Sequence, residues 1–162
     1  MSVLRELLED AGYTNVATYI NSGNVILSSA EDEKTLKSSI ERILSDSFSL
    51  AANSGSVHVL SAEQLTTLVR EKPSGFGEDP LLFHSDVIFL MGIDVDEAFS
   101  VFSPKEGVDT VWKGDGVIYS QRLSELRTKS RLNKVISSPL YKSMTIRKWQ
   151  TTLKLLELAQ TE

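Results

Sequence analysis

Two runs of strand-forming residues separated by four turn-formers, Ala-Thr-Tyr-Ile-Asn-Ser-Gly-Asn-Val-Ile-Leu-Ser-Ser from Ala17 to Ser29, constrain this chain more than any other stretch. Thr18, Tyr19 and Ile20, then Val25, Ile26 and Leu27, are the β-branched, aromatic and aliphatic side chains that suit a pleated surface, and Asn21-Ser22-Gly23-Asn24 is turn chemistry. The stretch predicts a β-hairpin. Amphipathic helical patterns lie on both sides of it, so the hairpin is expected to supply the sheet on which those helices lie.

Ahead of the hairpin, Val3, Leu4, Leu7, Leu8 and Ala11 fall on one helical face and Gly12 follows as a stop, which predicts a helix from Ser2 to Ala11. After it, Ser29 is expected to cap a helix whose first turn holds Glu31, Asp32 and Glu33, where the helix dipole favours acids, and whose buried stripe is Leu36, Ile40, Ile43 and Leu44. Val57 to Leu60 reads as a short strand. Ser61-Ala62-Glu63-Gln64 is a capping-box signature for a helix reaching about Glu71.

The Pro/Gly-rich stretch from Lys72 to Gly77, continuing through Asp79 and Pro80, is the expected boundary between two halves, residues 1–72 and 85–162. The second half repeats the first in outline. Asp86 to Met91 predicts a strand, Asp94 to Phe102 a short helix, and Thr110 to Trp112 with Val117 to Ser120 a second hairpin turning at Lys113-Gly114-Asp115-Gly116. A short helix among basic residues follows, then Pro139, then a final helix from Thr145 to about Ala159, with Thr145 as N-cap and Ile146, Trp149, Leu153 and Leu156 as its buried stripe.

With 162 residues, 41% hydrophobic and 24% charged, the chain has ordinary globular values and is long enough for one good core or two compact halves, so an ordered fold is expected. No apolar run approaches the roughly 18 residues of a membrane span and no basic start leads into an apolar core, so a cytosolic protein without a membrane partner is expected. The absence of cysteine excludes disulfides, thiolate zinc sites and a cysteine nucleophile. Net charge is −5, but its distribution is uneven. From Arg122 to Lys154 nine Lys or Arg face one acid, Glu125, whereas the remainder holds eight bases against 21 acids. Such asymmetry suits either an anion-binding face or a basic element docked on an acidic body.

Thr-Tyr-Ile-Asn-Ser-Gly-Asn-Val (Thr18 to Val25) and Met-Thr-Ile-Arg-Lys-Trp-Gln-Thr-Thr-Leu-Lys-Leu (Met144 to Leu155), together with the leading helix and Phe76 after Pro73, resemble the bacterial family called domain of unknown function 1697 over essentially the whole chain. The resemblance implies an α+β architecture of two ferredoxin-like α/β plait halves with a C-terminal helix. It implies no activity. The chain departs from the family where Lys148 and Gln150 stand in place of two asparagines, and where the family's opening strand and glycine-rich turn have no counterpart before Met1. Loss of that central strand is expected to leave backbone groups on two neighbouring strands unpaired. A misassigned start, a truncation, or a substitute strand from this chain or a second copy would account for it.

Two places draw attention as sites. Ser22, Gly23 and Asn24 suit either a backbone anion nest or a plain hairpin turn. Arg147 and Lys148, read as lying in the first turn of the last helix, would oppose the dipole at about 0.3 to 1 kcal/mol each, so a negative group is expected nearby. Thr145 shares that turn, and Arg127, Lys129, Arg131 and Lys134 extend the positive field. Acids of the remaining chain are the competing source of counter-charge.

Trp149 reads as a core anchor, and Asp94, Asp96 and Glu97 as helix-start capping. His58 and His84 lack partners at metal-ligand spacing, so neither metal nor cofactor is expected. No reaction is legible. The leading expectation is a binding module for a phosphate-bearing small molecule or nucleic acid. The alternatives are an enzyme acting on a small polar or phosphorylated substrate in a cleft between the halves, and an interaction or assembly domain that dimerises through the sheet position left by the missing strand.

Overall fold

In the computed structural model, residues 2–20, 23–49 and 56–161 are described. They form a mixed α+β protein with two antiparallel sheets and a C-terminal helix. The chain divides into two compact units, residues 1–65 with 154–162 and residues 66–153.

The first unit begins with α1 (Ser2–Asp10), which ends as its sequence predicts. Gly12 adopts φ +96°. The N–H groups of Gly12 and Tyr13 donate to the carbonyls of Glu9 and Leu8 at 3.0 and 3.1 Å, a Schellman closure that only a residue without Cβ accepts cheaply. The expected hairpin follows as β1 (Thr14–Tyr19) and β2 (Asn24–Ser28), paired Ala17 to Ile26, Thr18 to Val25 and Tyr19 to Asn24. Ile20, expected in the first strand, belongs to the turn at φ +51°.

Two details of this unit differ from expectation. The second helix, α2 (Glu33–Ser47), is capped by Asp32, whose Oδ1 accepts from the Thr35 N–H at 3.0 Å and whose Oδ2 accepts from the Thr35 hydroxyl at 2.8 Å. Ser29 instead turns the chain before it, accepting from the Glu31 N–H at 3.1 Å. A carboxylate three residues ahead of a threonine binds both its backbone and side-chain donors, which a serine hydroxyl further back cannot reach. Val57 to Leu60 is no strand. Among the described residues no strand pairs with it, and the Val57 N–H donates to Glu41 Oε1 of α2 at 2.9 Å. A short β-rich run becomes a strand only where another backbone offers a ladder.

Helix α3 (Ala62–Arg70) opens with the predicted reciprocal cap: Gln64 N–H donates to Ser61 Oγ at 3.1 Å and Ser61 N–H donates to Gln64 Oε1 at 2.7 Å. It crosses the division between units, as does the last helix.

The second unit is built on β3 (Phe83–Leu90), α4 (Val95–Phe99), β4 (Asp109–Lys113), β5 (Val117–Leu123) and β6 (Met144–Lys148). Its sheet runs β4-β5-β3-β6 and every neighbour is antiparallel. This is the ferredoxin-like plait order, with the second helical connection replaced by three 3₁₀ segments, Ser124–Lys129, Leu132–Ser137 and Pro139–Ser143. Residues Ser130, Ser138 and Pro139 interrupt that stretch too often for an α-helix to propagate.

The last helix is also displaced from expectation. Met144–Lys148 is a strand, and α5 (Trp149–Gln160) begins only at Trp149. Pairing of Leu90 with Met144, Ile88 with Ile146 and Asp86 with Lys148 supplies a ladder that outweighs the helical reading. The stripe drawn from Ile146 therefore breaks. Trp149 and Thr152 are the buried residues of α5, and Leu153 is 40% exposed.

One face of the four-stranded sheet carries Ile88, Leu90, Ile118 and Met144, closed by Ala98 of α4 and Val135 of the second 3₁₀ segment. The other face is capped by Phe76, fully buried and edge-on to Trp112, Tyr119 and Trp149 at centroid distances of 5.9, 5.1 and 5.1 Å. Gly77 must be glycine here, because its φ is +70° and a Cβ would overlap the Trp149 indole. Gln121 locks the segment, accepting from the Gly77 N–H at 2.9 Å and from the Ser85 hydroxyl at 2.7 Å. The Pro/Gly-rich stretch, read from sequence as a boundary, thus packs within the second unit as its aromatic plug.

Candidate functional site

The hairpin candidates belong to the first unit. Ser22 lies outside the described residues. Gly23 sits at φ +83°, and the Asn24 side chain is buried and donates to the Tyr19 carbonyl at 3.1 Å, so the amide closes the hairpin. Two surface hollows of this unit, about 560 and 540 Å3, are lined by residues such as Tyr13, Ser29 and Glu31, and Thr35 and Arg42, respectively. Neither is lined by a candidate residue.

The basic candidates all lie in the second unit, but the structure sorts them. In β6 successive side chains alternate between faces. Arg147 lies opposite Val87 and Thr145 opposite Phe89, on the face that holds the aromatic plug. Burial pulls the Arg147 guanidinium below its ordinary value, and its Nη1 donates to the Ile146 carbonyl at 2.9 Å. Lys148 faces the other way, opposite Asp86. The two cations lie on a strand and do not share a helix turn.

Arg127 and Lys129 of the first 3₁₀ segment, Arg131 just ahead of the second and Lys134 within it are exposed, as is Lys148. Among the described residues, the ion pairs within 4.0 Å use Arg5, Lys37, Arg70, Lys72, Lys113 and Lys154, together with His84 to Asp86, and none of the five exposed cations just named. Among the described residues, acids therefore do not supply these side chains with direct ion-pair partners.

Sequence reading missed a polar cluster that the register assembles at one end of the sheet. His84 and Asp86, two apart on β3, share a face, and His84 Nε2 lies 3.2 Å from Asp86 Oδ2. Arg122 of β5 is opposite His84, Lys148 of β6 opposite Asp86, and Asp109 of β4 opposite Arg122. Arg122 Nη1 donates to Asn133 Oδ1 at 3.3 Å, which ties β5 to the second 3₁₀ segment. Asp109 anchors the start of that segment: its Oδ2 accepts from the N–H groups of Lys105 and Arg131 at 2.9 and 2.8 Å. Asp109 Oδ1 and Arg122 Nε are buried without a hydrogen-bond partner. Burial pushes the Asp86 carboxyl above the usual carboxylate range, while His84, Arg122 and Lys148 pull in the opposite direction. The only signal in the sequence was the period-two spacing of polar residues along β3, which counts for little until Arg122 and Lys148 are placed beside it.

Among the described residues no group of His, Asp and Glu side chains could hold a metal ion, and no helix is long and apolar enough to cross a membrane. No curated protein matches the chain. A solved structure, that of the conserved bacterial protein SP0830 from Streptococcus pneumoniae, is similar with a TM-score of 0.84 and 26% identity, covering 99% of this chain and 88% of that one. Residues 1–119 match the family described as Protein of unknown function (DUF1697). The family match spans residues 1–119, which include the Thr18 to Val25 stretch, and the chain belongs to the DUF1697 family.

Proposed function

We propose that the second unit binds a phosphate-bearing ligand, with single-stranded nucleic acid as the leading candidate, through the cations that follow β5. The observation that carries this is the exposed set Arg127, Lys129, Arg131 and Lys134, which has no carboxylate within 4.0 Å among the described residues. Like charges gathered on consecutive 3₁₀ turns repel one another, and a polyanion relieves that repulsion while releasing its condensed counterions. Asp109 and Arg122 hold the second of these segments from the sheet side, through the Arg131 N–H and Asn133 Oδ1, so its charges sit on an anchored support.

The test is fluorescence anisotropy with a labelled 20-nucleotide single-stranded RNA. The expected result is binding at low salt that weakens steeply with added KCl, and a loss of about tenfold or more in affinity when Arg131 and Lys134 are both changed to Glu. Absence of binding at low ionic strength, or charge reversal without effect, would overturn the reading.

A further inference from the structure

The polar end of the second unit's sheet sets two carboxylates, Asp86 and Asp109, among three basic side chains. We propose that His84, Arg122 and Lys148 form a phosphate subsite in which a bound phosphate takes the place of Asp86 as their counter-charge. This rests on the phosphate-binding reading above and assigns it a specific centre, distinct from the exposed 3₁₀ cations.

The register brings these groups together. His84 and Asp86 come from β3, Arg122 from β5 and Lys148 from β6, all on one face. The Asp86 and His84 side chains keep 14% and 34% of their exposure and Lys148 is exposed, so the cluster reaches solvent at His84 and Lys148, while Arg122 Nε is buried. On β4 Asp109 lies opposite Arg122; its Oδ2 accepts from the main-chain N–H groups of Lys105 and Arg131, while its Oδ1 has no hydrogen-bond partner. From the second 3₁₀ segment Asn133 contributes a neutral side chain. Asp109 stands beside Arg122 at the β4 edge and Asp86 between His84 and Lys148, so two carboxylates face three basic groups and Asp86 is the one set among them.

A phosphate and an ionised Asp86 repel each other at this range, so the phosphate is bound best when Asp86 has taken a proton from solvent. Burial already favours that proton. Neutralising Asp86 therefore raises affinity for the phosphate.

Isothermal titration of the whole chain with inorganic pyrophosphate at pH 8.0, where the charge of the probe is the same for every variant, tests this. Asp86→Asn, close in size and still able to accept from His84, is expected to bind about tenfold more tightly than wild type. If Asp86→Asn binds no more tightly than wild type at pH 8.0, the subsite is overturned. Failure of pyrophosphate to bind while the RNA still binds, sensitive to Arg131→Glu, also overturns the subsite alone. Failure of both probes removes the phosphate-binding reading with it.

Discussion

The two units carry similar successions of helices and hairpins, yet they bury their apolar residues to very different degrees. In the second unit Val87, Ile88, Phe89 and Leu90 are buried in succession along β3, because both faces of a four-stranded sheet are covered. In the first unit α2 has no buried residue, and its apolar stripe of Leu36, Ile40, Ile43 and Leu44 is only half-buried. The difference lies in the area of the platform. Two strands about 5 Å apart make a ribbon scarcely wider than one helix of about 10 Å diameter, whereas four strands offer room for a layer on each face. An amphipathic stripe specifies which side of a helix will seek cover, and the sheet decides how much cover there is.

The largest expected effect that tests this contrast is Phe76→Ala. Removing a fully buried ring that touches three aromatic neighbours should cost about 3–5 kcal/mol, read from the urea midpoint. Hydrogen exchange should show lost protection in β3 and β5, with β1 and β2 less affected. Equal loss in both sheets would mean that the two units unfold as one.

Tyr119→Phe is expected to be smaller, about 1–3 kcal/mol, because it leaves the Leu68 carbonyl without the hydroxyl that now donates to it at 2.7 Å. The same contact has a pH signature. Burial pushes the Tyr119 hydroxyl up to about 12. The unfolded-state value is about 10. Its contribution is therefore present in full below pH ~10 and is lost as pH rises through the folded value. Wild type should lose stability across that alkaline window, and Tyr119→Phe should lose less. Parallel alkaline curves for the two proteins would contradict the assignment.

Ile40→Ala should be the mildest, about 1 kcal/mol, since a half-buried side chain returns little area to water. A cost above about 3 kcal/mol in thermal or urea unfolding would show that α2 is as well covered in solution as the helices over the larger sheet.

Much of this architecture was legible from local chemistry. The hairpin at Thr18 to Leu27, the Gly12 stop, the Ser61 capping box and the Asp94 cap all rest on interactions within a few residues, and all are found. Two readings failed for one shared reason. Val57 to Leu60 and Met144 to Lys148 have strand and helix patterns of similar strength, and each took the form that its neighbours' backbones permitted. The candidate site suffered from the same blindness. Arg147 and Lys148 are adjacent in sequence and were read as one cationic pair, but in a strand adjacency puts side chains on opposite faces. Conversely His84, Arg122 and Lys148 are far apart along the chain, and cross-strand register makes them neighbours.

By itself the sequence determined the turns, the caps, the alternation of helix with hairpin and the gathering of positive charge after residue 121, because each depends on side-chain type and short-range spacing. Only the tertiary structure decided which β-capable segments became strands, that Phe76 plugs a core, and that Asp86 sits among His84, Arg122 and Lys148. A backbone ladder and a shared sheet face are properties of pairs of distant segments, and a slip of one residue in register would send every one of those side chains to the opposite side.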